Sequence, residues 1–393
     1  MADKVQRLIG RMRDDLSQVT PSEIRSFDQE VSKIPDIIKL TLGEPDFNTP
    51  EHIKDAAIES IKNNHTHYAP SNGTPELRAA VANFLDKKYQ LNYSAENVIV
   101  TVGATESIWT AISSIVNRGD KVIIPTPIWP MYIPITKVNG AEPIFLDTSD
   151  NNFVLTPEKL EQAIKDNGDA VKAVVLNFPS NPTGMTYRRE DVKAIADVVK
   201  KYDVFVIADE IYSELTYGDK HVSIAEYLPD QTILINGVSK SHAMTGWRIG
   251  VLCAPAPIIK QLAKIHQYSV TTATRVAQDA AQEAFEHGFE DGPQMKLEYE
   301  KRANFVYDEM TKMGFTAHQP EGAFYLFTKI PASLNMDDKT FCRKLAYENK
   351  VALVAGSSFG PGGEGYIRIS YAASMDNLKE AMKRINEFMK SRV

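Results

Sequence analysis

Between residues 98 and 240 short apolar runs alternate with stretches of helical period. The runs lie at 98–102, 122–124, 143–146, 171–176, 204–208 and 232–235. They are continuous rather than alternating, which marks strands buried on both faces. The intervening segments at 106–116, 157–165 (opened by Thr156) and 190–202 predict helices. Strand and helix in turn predict an α/β fold, with a mostly parallel sheet covered by helices on both sides. Before this block, residues 1–40 carry only a weak core signal and read as an arm with short helices. There Thr20-Pro21-Ser22-Glu23 resembles a capping box with Pro at the first helical position. The same logic starts helices at Thr49-Pro50-Glu51 and at Thr74-Pro75-Glu76, the latter running to about Tyr89. Beyond Gly250 the pattern changes to helices at 256–268 and 273–285, then an Asp291-Gly292-Pro293 break and a long helix at 295–313. Short strands at 323–328, 352–354 and 366–370, with helices at 339–348 and 375–390, predict a smaller α+β unit. The expected division is 1–48 as an arm and part of the small domain, 49–290 as the large domain, and 291–393 as the C-terminal small domain.

Composition narrows the function class. A chain of 393 residues is long enough for two cores. A net charge of -7 without a dense basic run argues against nucleic acid. The two cysteines, Cys253 and Cys342, have no CxxC spacing, so neither a disulfide framework nor a thiolate zinc site is expected. No apolar window is long enough for a signal peptide or a membrane span, so the expected location is cytoplasmic. His65-Thr66-His67 lacks further ligand spacing, and no metal is expected.

Ligands of a doubly wound sheet bind beyond the carboxyl ends of its strands, so the polar residues there carry the chemical reading. After the first run, Gly103-Ala104-Thr105 opens a helix, either as an anion site or as a tight turn. After the second comes Trp129, a stacking ring or a packed aromatic. Asn181 follows the fourth run, as an amide donor or as turn chemistry. Asp209 and Tyr212 follow the fifth, and Asp209 is costly to bury unless it meets a cation or donors. After the sixth come Ser239, Lys240 and Arg248, the lysine flanked by the small hydroxyl residues Ser239 and Ser241. A confined lysine can condense with an aldehyde, while a hydroxyl and a guanidinium suit a phosphate. Together these make the set a pyridoxal 5'-phosphate site requires: the carboxylate for the pyridine nitrogen, the phenol and amide for the ring 3-oxygen.

Three motifs carry a resemblance: Ser-Asn-Pro-Thr-Gly at 180–184, Asp-Glu-Ile-Tyr at 209–212 and Ser-Lys-Ser-His-Ala-Met-Thr-Gly-Trp-Arg at 239–248. In order and spacing, from about residue 38 to 388, the chain resembles the class-I, fold-type-I aminotransferases that depend on pyridoxal phosphate. The resemblance implies a seven-stranded type of sheet. It implies Lys240 as the Schiff-base and proton-moving lysine, Asp209 at the pyridine nitrogen, and Tyr212 and Asn181 at the 3-oxygen. Trp129 is implied as the stacking ring, and Gly103, Ala104, Thr105, Ser239 and Arg248 as the phosphate cradle. Tyr68 resembles the family tyrosine that reaches the neighbouring subunit's phosphate, which implies a homodimer with shared sites. Arg368, in Gly-Tyr-Ile-Arg-Ile-Ser at 365–370, resembles the arginine that forks the substrate α-carboxylate, and Gly43 the glycine whose backbone meets it.

The implied reaction moves an amino group from an amino acid to a 2-oxo acid such as 2-oxoglutarate in ping-pong order. Some aspartate-preferring relatives have a lysine where this chain has Thr105. The overall match looks nearest to the bacterial aromatic amino acid aminotransferases. The alternatives are N-acetyl-LL-diaminopimelate as donor and a β-lyase on the same fold, which would use the same cofactor residues.

Overall fold

The computed structural model describes residues 2–392. Seven strands form the central sheet: β1 (Val98–Thr101), β2 (Lys121–Thr126), β3 (Glu142–Asp147), β4 (Val171–Asn177), β5 (Phe205–Asp209), β6 (Thr232–Gly237) and β7 (Gly250–Cys253). Their spatial order is β1-β7-β6-β5-β4-β2-β3. Only β7 runs antiparallel to its neighbours. The six predicted runs are the six parallel strands. The seventh was not predicted, because Gly250–Cys253 is four residues long and follows directly on a turn.

Period-two alternation divides the sheet's side chains between two cores. Val100, Ile123, Val174, Leu176, Val206, Ala208, Leu234 and Val251 point to one face. Ile99, Val122, Ile124, Val175, Ile207, Ile233, Ile235 and Leu252 point to the other. Each face is covered by helices, so no strand residue in these sets meets water.

The C-terminal unit has its own antiparallel sheet, built of β8 (Thr316–Ala317), β9 (Tyr325–Lys329), β10 (Val354–Ala355) and β11 (Tyr366–Ser370), in the order β10-β11-β9-β8. The expected strand at 352–354 is two pieces. Val351–Ala352 pairs with Ile38–Lys39, while Val354–Ala355 joins β11. The helices Asp291–Lys312, Asp338–Asn349 and Met375–Lys390 accompany this sheet. Their core takes in Tyr299, Phe324, Tyr325, Phe341 and Ile369, and also Ile211, Tyr212 and Leu215 from the loop after β5. The end of β5 is therefore where the C-terminal core meets the central sheet.

Three local expectations are corrected. Asp291-Gly292-Pro293 begins the long helix rather than breaking before it; Pro is tolerated in a first turn, whose N–H groups lack intrahelical partners. The cap of the helix Glu23–Val31 is Ser22, which accepts from the Arg25 N–H at 3.4 Å, so Thr20 and Pro21 lie outside it. Thr49 does not cap Glu51–Lys62; its hydroxyl donates to the Ala243 carbonyl at 2.8 Å. Thr74 and Thr156 do cap their helices. No helix among the described residues is long and apolar enough to cross a membrane.

Ile207, fully buried in the central strand, is a test of the sheet core. Ile207→Ala is expected to cost about 3 kcal/mol, whereas Ile58→Ala on an exposed helix face stays within about 0.5 kcal/mol. Urea denaturation of both variants checks the contrast.

Candidate active site

The chain leaves β1 through Gly103, whose φ of +76° favours glycine. A Cβ there would run into the Arg248 guanidinium, and one at Gly250 would meet the Ala104 N–H. Glycine at both positions thus lets the guanidinium and the first N–H groups of the helix Gly103–Ile115 lie together. Arg248 itself sits at φ +57° and donates from Nη1 to the Thr245 carbonyl at 2.9 Å, leaving Nη2 directed at Gly103. Guanidinium and helix N-terminus form an anion cradle. Thr105 lies in the first turn of that helix, and Ser239 is buried beside Lys240.

Asp209 ends β5 and is 2% exposed. Its Oδ2 accepts from the Tyr132 hydroxyl at 2.6 Å, and its Oδ1 from the Ile211 N–H at 3.2 Å. Asn177, ending β4 in register with Asp209, donates to the Asp209 carbonyl at 3.0 Å. Burial pushes the carboxyl up to about 6 in spite of the Tyr132 and Ile211 donors. Among the described residues no cation forms an ion pair with it. Trp129 packs edge-on against Tyr132, ring centroids 5.8 Å apart.

Lys240 follows β6 in a single helical turn, half-buried. Its Nζ donates to the Gly43 carbonyl and lies 5.7 Å from the centre of the Tyr212 ring. Burial pushes its pKa down to about 8; Arg248 and Arg368 act the same way, while Glu44 and Asp209 oppose them. Arg368, on β11, is 2% exposed. Its Nη1 donates to Asn181 Oδ1 at 2.7 Å, its Nη2 to the Thr41 carbonyl, and its Nε has no partner among the described residues. The Tyr325 ring lies under the guanidinium at 4.6 Å, and the Tyr325 and Tyr212 hydroxyls are 2.7 Å apart. A Cβ on Gly43 would strike the Tyr325 hydroxyl.

Lys240, Asp209, Tyr212, Asn181, Arg248, Arg368, Gly43 and Gly103 therefore converge at the carboxyl edge of the sheet. Tyr68 does not join them: it is 90% exposed. Sequence reading missed Tyr132, Tyr325 and Asn177. Tyr132 could have been found from its place three residues after Trp129. Tyr325 carried no signal, since it stands in an apolar strand that reads as core. Among the described residues no group of three His, Cys, Asp or Glu side chains could hold a metal. His65 pairs with Asp279 at 2.6 Å.

A buried carboxylate without a cation, a lysine with a depressed pKa, a glycine–arginine anion cradle and an arginine with an unused donor are each incomplete alone. Pyridoxal phosphate has the complementary groups: a ring nitrogen, an aldehyde and a phosphate. A substrate carboxylate would complete the arginine. On a seven-stranded sheet of this topology, these features define a fold-type-I pyridoxal phosphate enzyme.

The chain matches the family described as aminotransferase class I and II over residues 35–385, and it belongs to that family. It is 48% identical over 373 residues to a probable N-acetyl-LL-diaminopimelate aminotransferase of Bacillus subtilis, covering 95% of this chain and 94% of that one. It is 42% identical over 391 residues to an aspartate aminotransferase of Geobacillus stearothermophilus, covering 96% and 98%. The solved structure of an aromatic aminotransferase from Pyrococcus horikoshii superposes with a TM-score of 0.87 at 36% identity, covering 93% and 99%. The protein is a pyridoxal-phosphate-dependent aminotransferase acting on an amino acid and a 2-oxo acid. The substrates named among its relatives are mixed, so the aromatic type expected from the sequence is not singled out.

The depressed pKa of Lys240 gives a pH prediction. Its amine becomes a free nucleophile as the pH rises through about 8, not through the ordinary lysine range. The rate at which cofactor-free protein captures pyridoxal phosphate, measured as borohydride-fixed adduct, should rise with a midpoint near that pH.

Proposed function

We propose that Lys240 holds the cofactor covalently and moves the substrate α-proton, and that Arg368 receives the α-carboxylate. The observation that carries this is the joint placement of the two. Lys240 Nζ donates to the Gly43 carbonyl, Arg368 donates to the Thr41 carbonyl two residues away, and the Arg368 Nε is left as a buried, unused donor. When bound, pyridoxal phosphate supplies an electron sink that takes up an amino group and passes it on. Asp209 pairs with the pyridine nitrogen and so gains the cation its burial lacks. Tyr212 and Asn181 hold the ring oxygen, and Trp129 lies on the ring face. Gly103, Ala104, Thr105, Ser239 and Arg248 hold the phosphate. Gly43 keeps its backbone open beside the substrate because no side chain fits against Tyr325. Lys240 takes the α-proton as a base and returns it as an acid, a role suited to a pKa near 8. Donor and acceptor use this one site in turn, which is ping-pong order.

For the donor, N-acetyl-LL-diaminopimelate is favoured over the aromatic amino acids, with 2-oxoglutarate as acceptor. Its support is the Bacillus subtilis relative of that name, at 48% identity over nearly the full length. The aromatic reading rests on relatives at 36% identity and stands second. The protein acts as a homodimer in which Tyr68 completes the partner's phosphate site; its near-full exposure in one chain supports this. The division at about residues 48 and 290 into a large and a small domain belongs to the same proposal.

Three experiments test these readings. With 2-oxoglutarate, kcat/KM for N-acetyl-LL-diaminopimelate should exceed that for Phe, Tyr or Asp by at least about tenfold, or about 1.4 kcal/mol in transition-state binding. A faster turnover of Phe or Tyr reverses the assignment. Lys240→Ala should lose both transamination and borohydride-fixed cofactor. Arg368→Ala should cost about 2–5 kcal/mol in donor binding while leaving cofactor affinity nearly unchanged. An unaltered KM removes Arg368 from the substrate site.

A further inference from the structure

Tyr325 lies where the parts of the site meet, yet nothing in the reaction as described uses it. It is fully buried on β9, opposite Ser370 of β11. Its ring stacks beneath Arg368 at 4.6 Å. Its hydroxyl fills the space that a Gly43 side chain would need. That hydroxyl has one hydrogen-bond partner among the described residues, the Tyr212 hydroxyl at 2.7 Å.

The direction of this bond follows from counting protons. A phenol has one proton to give and can also accept. Were Tyr212 to donate to Tyr325, it would have no proton left for a ring oxygen, and the Tyr325 proton would have no acceptor. With Tyr325 donating, both protons are used: Tyr325 to Tyr212, and Tyr212 onward into the site. Burial raises the pKa of both phenols and Arg368 opposes that rise at each, so the direction rests on the proton count alone. A donor that itself accepts a hydrogen bond donates more strongly.

We propose that Tyr325 is a positioning residue that donates to Tyr212, directing the Tyr212 proton at the cofactor's ring oxygen and strengthening that bond. The inference rests on the reading of Tyr212 as the phenol at that oxygen. The inferred effect of the Tyr325 hydroxyl runs through Tyr212. The rigid pairing of β9 with β11 links its position to that of Arg368, so the substrate's anchor and the cofactor's hydrogen-bond chain share one strand pair.

The test is a spectroscopic titration of the cofactor-loaded enzyme. In Tyr325→Phe the ring remains under Arg368 and only the hydroxyl is lost. Weaker stabilisation of the anionic ring oxygen should move the pH midpoint of the visible absorbance up by about one unit, a tenfold change in that equilibrium. kcat should fall by about tenfold, while KM for the donor stays within about twofold. A purely structural role would lower the melting temperature and leave the midpoint in place. In a Tyr212→Phe background, Tyr325→Phe should add no further shift. A midpoint unchanged to within about 0.2 unit, or a full shift persisting without the Tyr212 hydroxyl, overturns the inference. A parent enzyme with no titrating absorbance, or a Lys240→Ala variant that still fixes cofactor, overturns instead the reading of the site on which it rests.

Discussion

The site is built around one buried carboxylate. Asp209 closes the central strand β5 and is 2% exposed, with burial pushing its pKa up to about 6. An ionised carboxylate in that position is tolerated only with donors around it. Tyr132 and the Ile211 N–H provide two. The parallel sheet makes the arrangement possible. Because β4, β5 and β6 run the same way, Asn177, Asp209 and the turn bearing Lys240 all emerge at one edge. An antiparallel arrangement would send alternate residues to opposite ends of the sheet.

The second structural requirement is a strap that crosses between cores. Residues 41–49 accept from Arg368 at the Thr41 carbonyl and from Lys240 at the Gly43 carbonyl. Asp46 is held by the buried Arg302 at 2.7 Å, and Phe47 packs edge-on against Tyr299 at 5.4 Å. At the far end, Thr49 donates to the Ala243 carbonyl and accepts from the Trp247 indole at 3.0 Å. The strap is thus fastened to the helix Asp291–Lys312 on one side and to the loop after Lys240 on the other. Displacement of the strap would move the acceptors of Lys240 and Arg368 together. A tyrosine pair, Tyr212 from the loop after β5 and Tyr325 on β9, joins the two sheets at shorter range.

The sequence was most legible where structure is local. Strand ends, the Thr74 and Thr156 caps and the residues following each apolar run follow from short-range periodicity and capping chemistry. For that reason Lys240, Asp209, Tyr212, Asn181 and Trp129 could be placed at the carboxyl edge of the sheet from the chain alone. Legibility failed where partners are distant. The antiparallel β7 is too short to announce itself, and 352–354 divides between two sheets because adjacent residues meet different neighbours. Tyr325 reads as a core residue of an apolar strand, and only Gly43, Tyr212 and Arg368, each far away in sequence, give its hydroxyl a task.

By itself the sequence determined the α/β class, the parallel core, the edge where chemistry gathers and the aminotransferase family, since periodicity, turn residues and motif spacing are written along the chain. The tertiary structure alone decided which donors reach Asp209, that Gly43 faces Tyr325, that Arg368 keeps a free Nε, and that Lys240 is depressed to about 8. Each of these depends on burial and on contacts between residues hundreds of positions apart. Desolvation and hydrogen bonding act through space, and spacing along the chain carries no record of them.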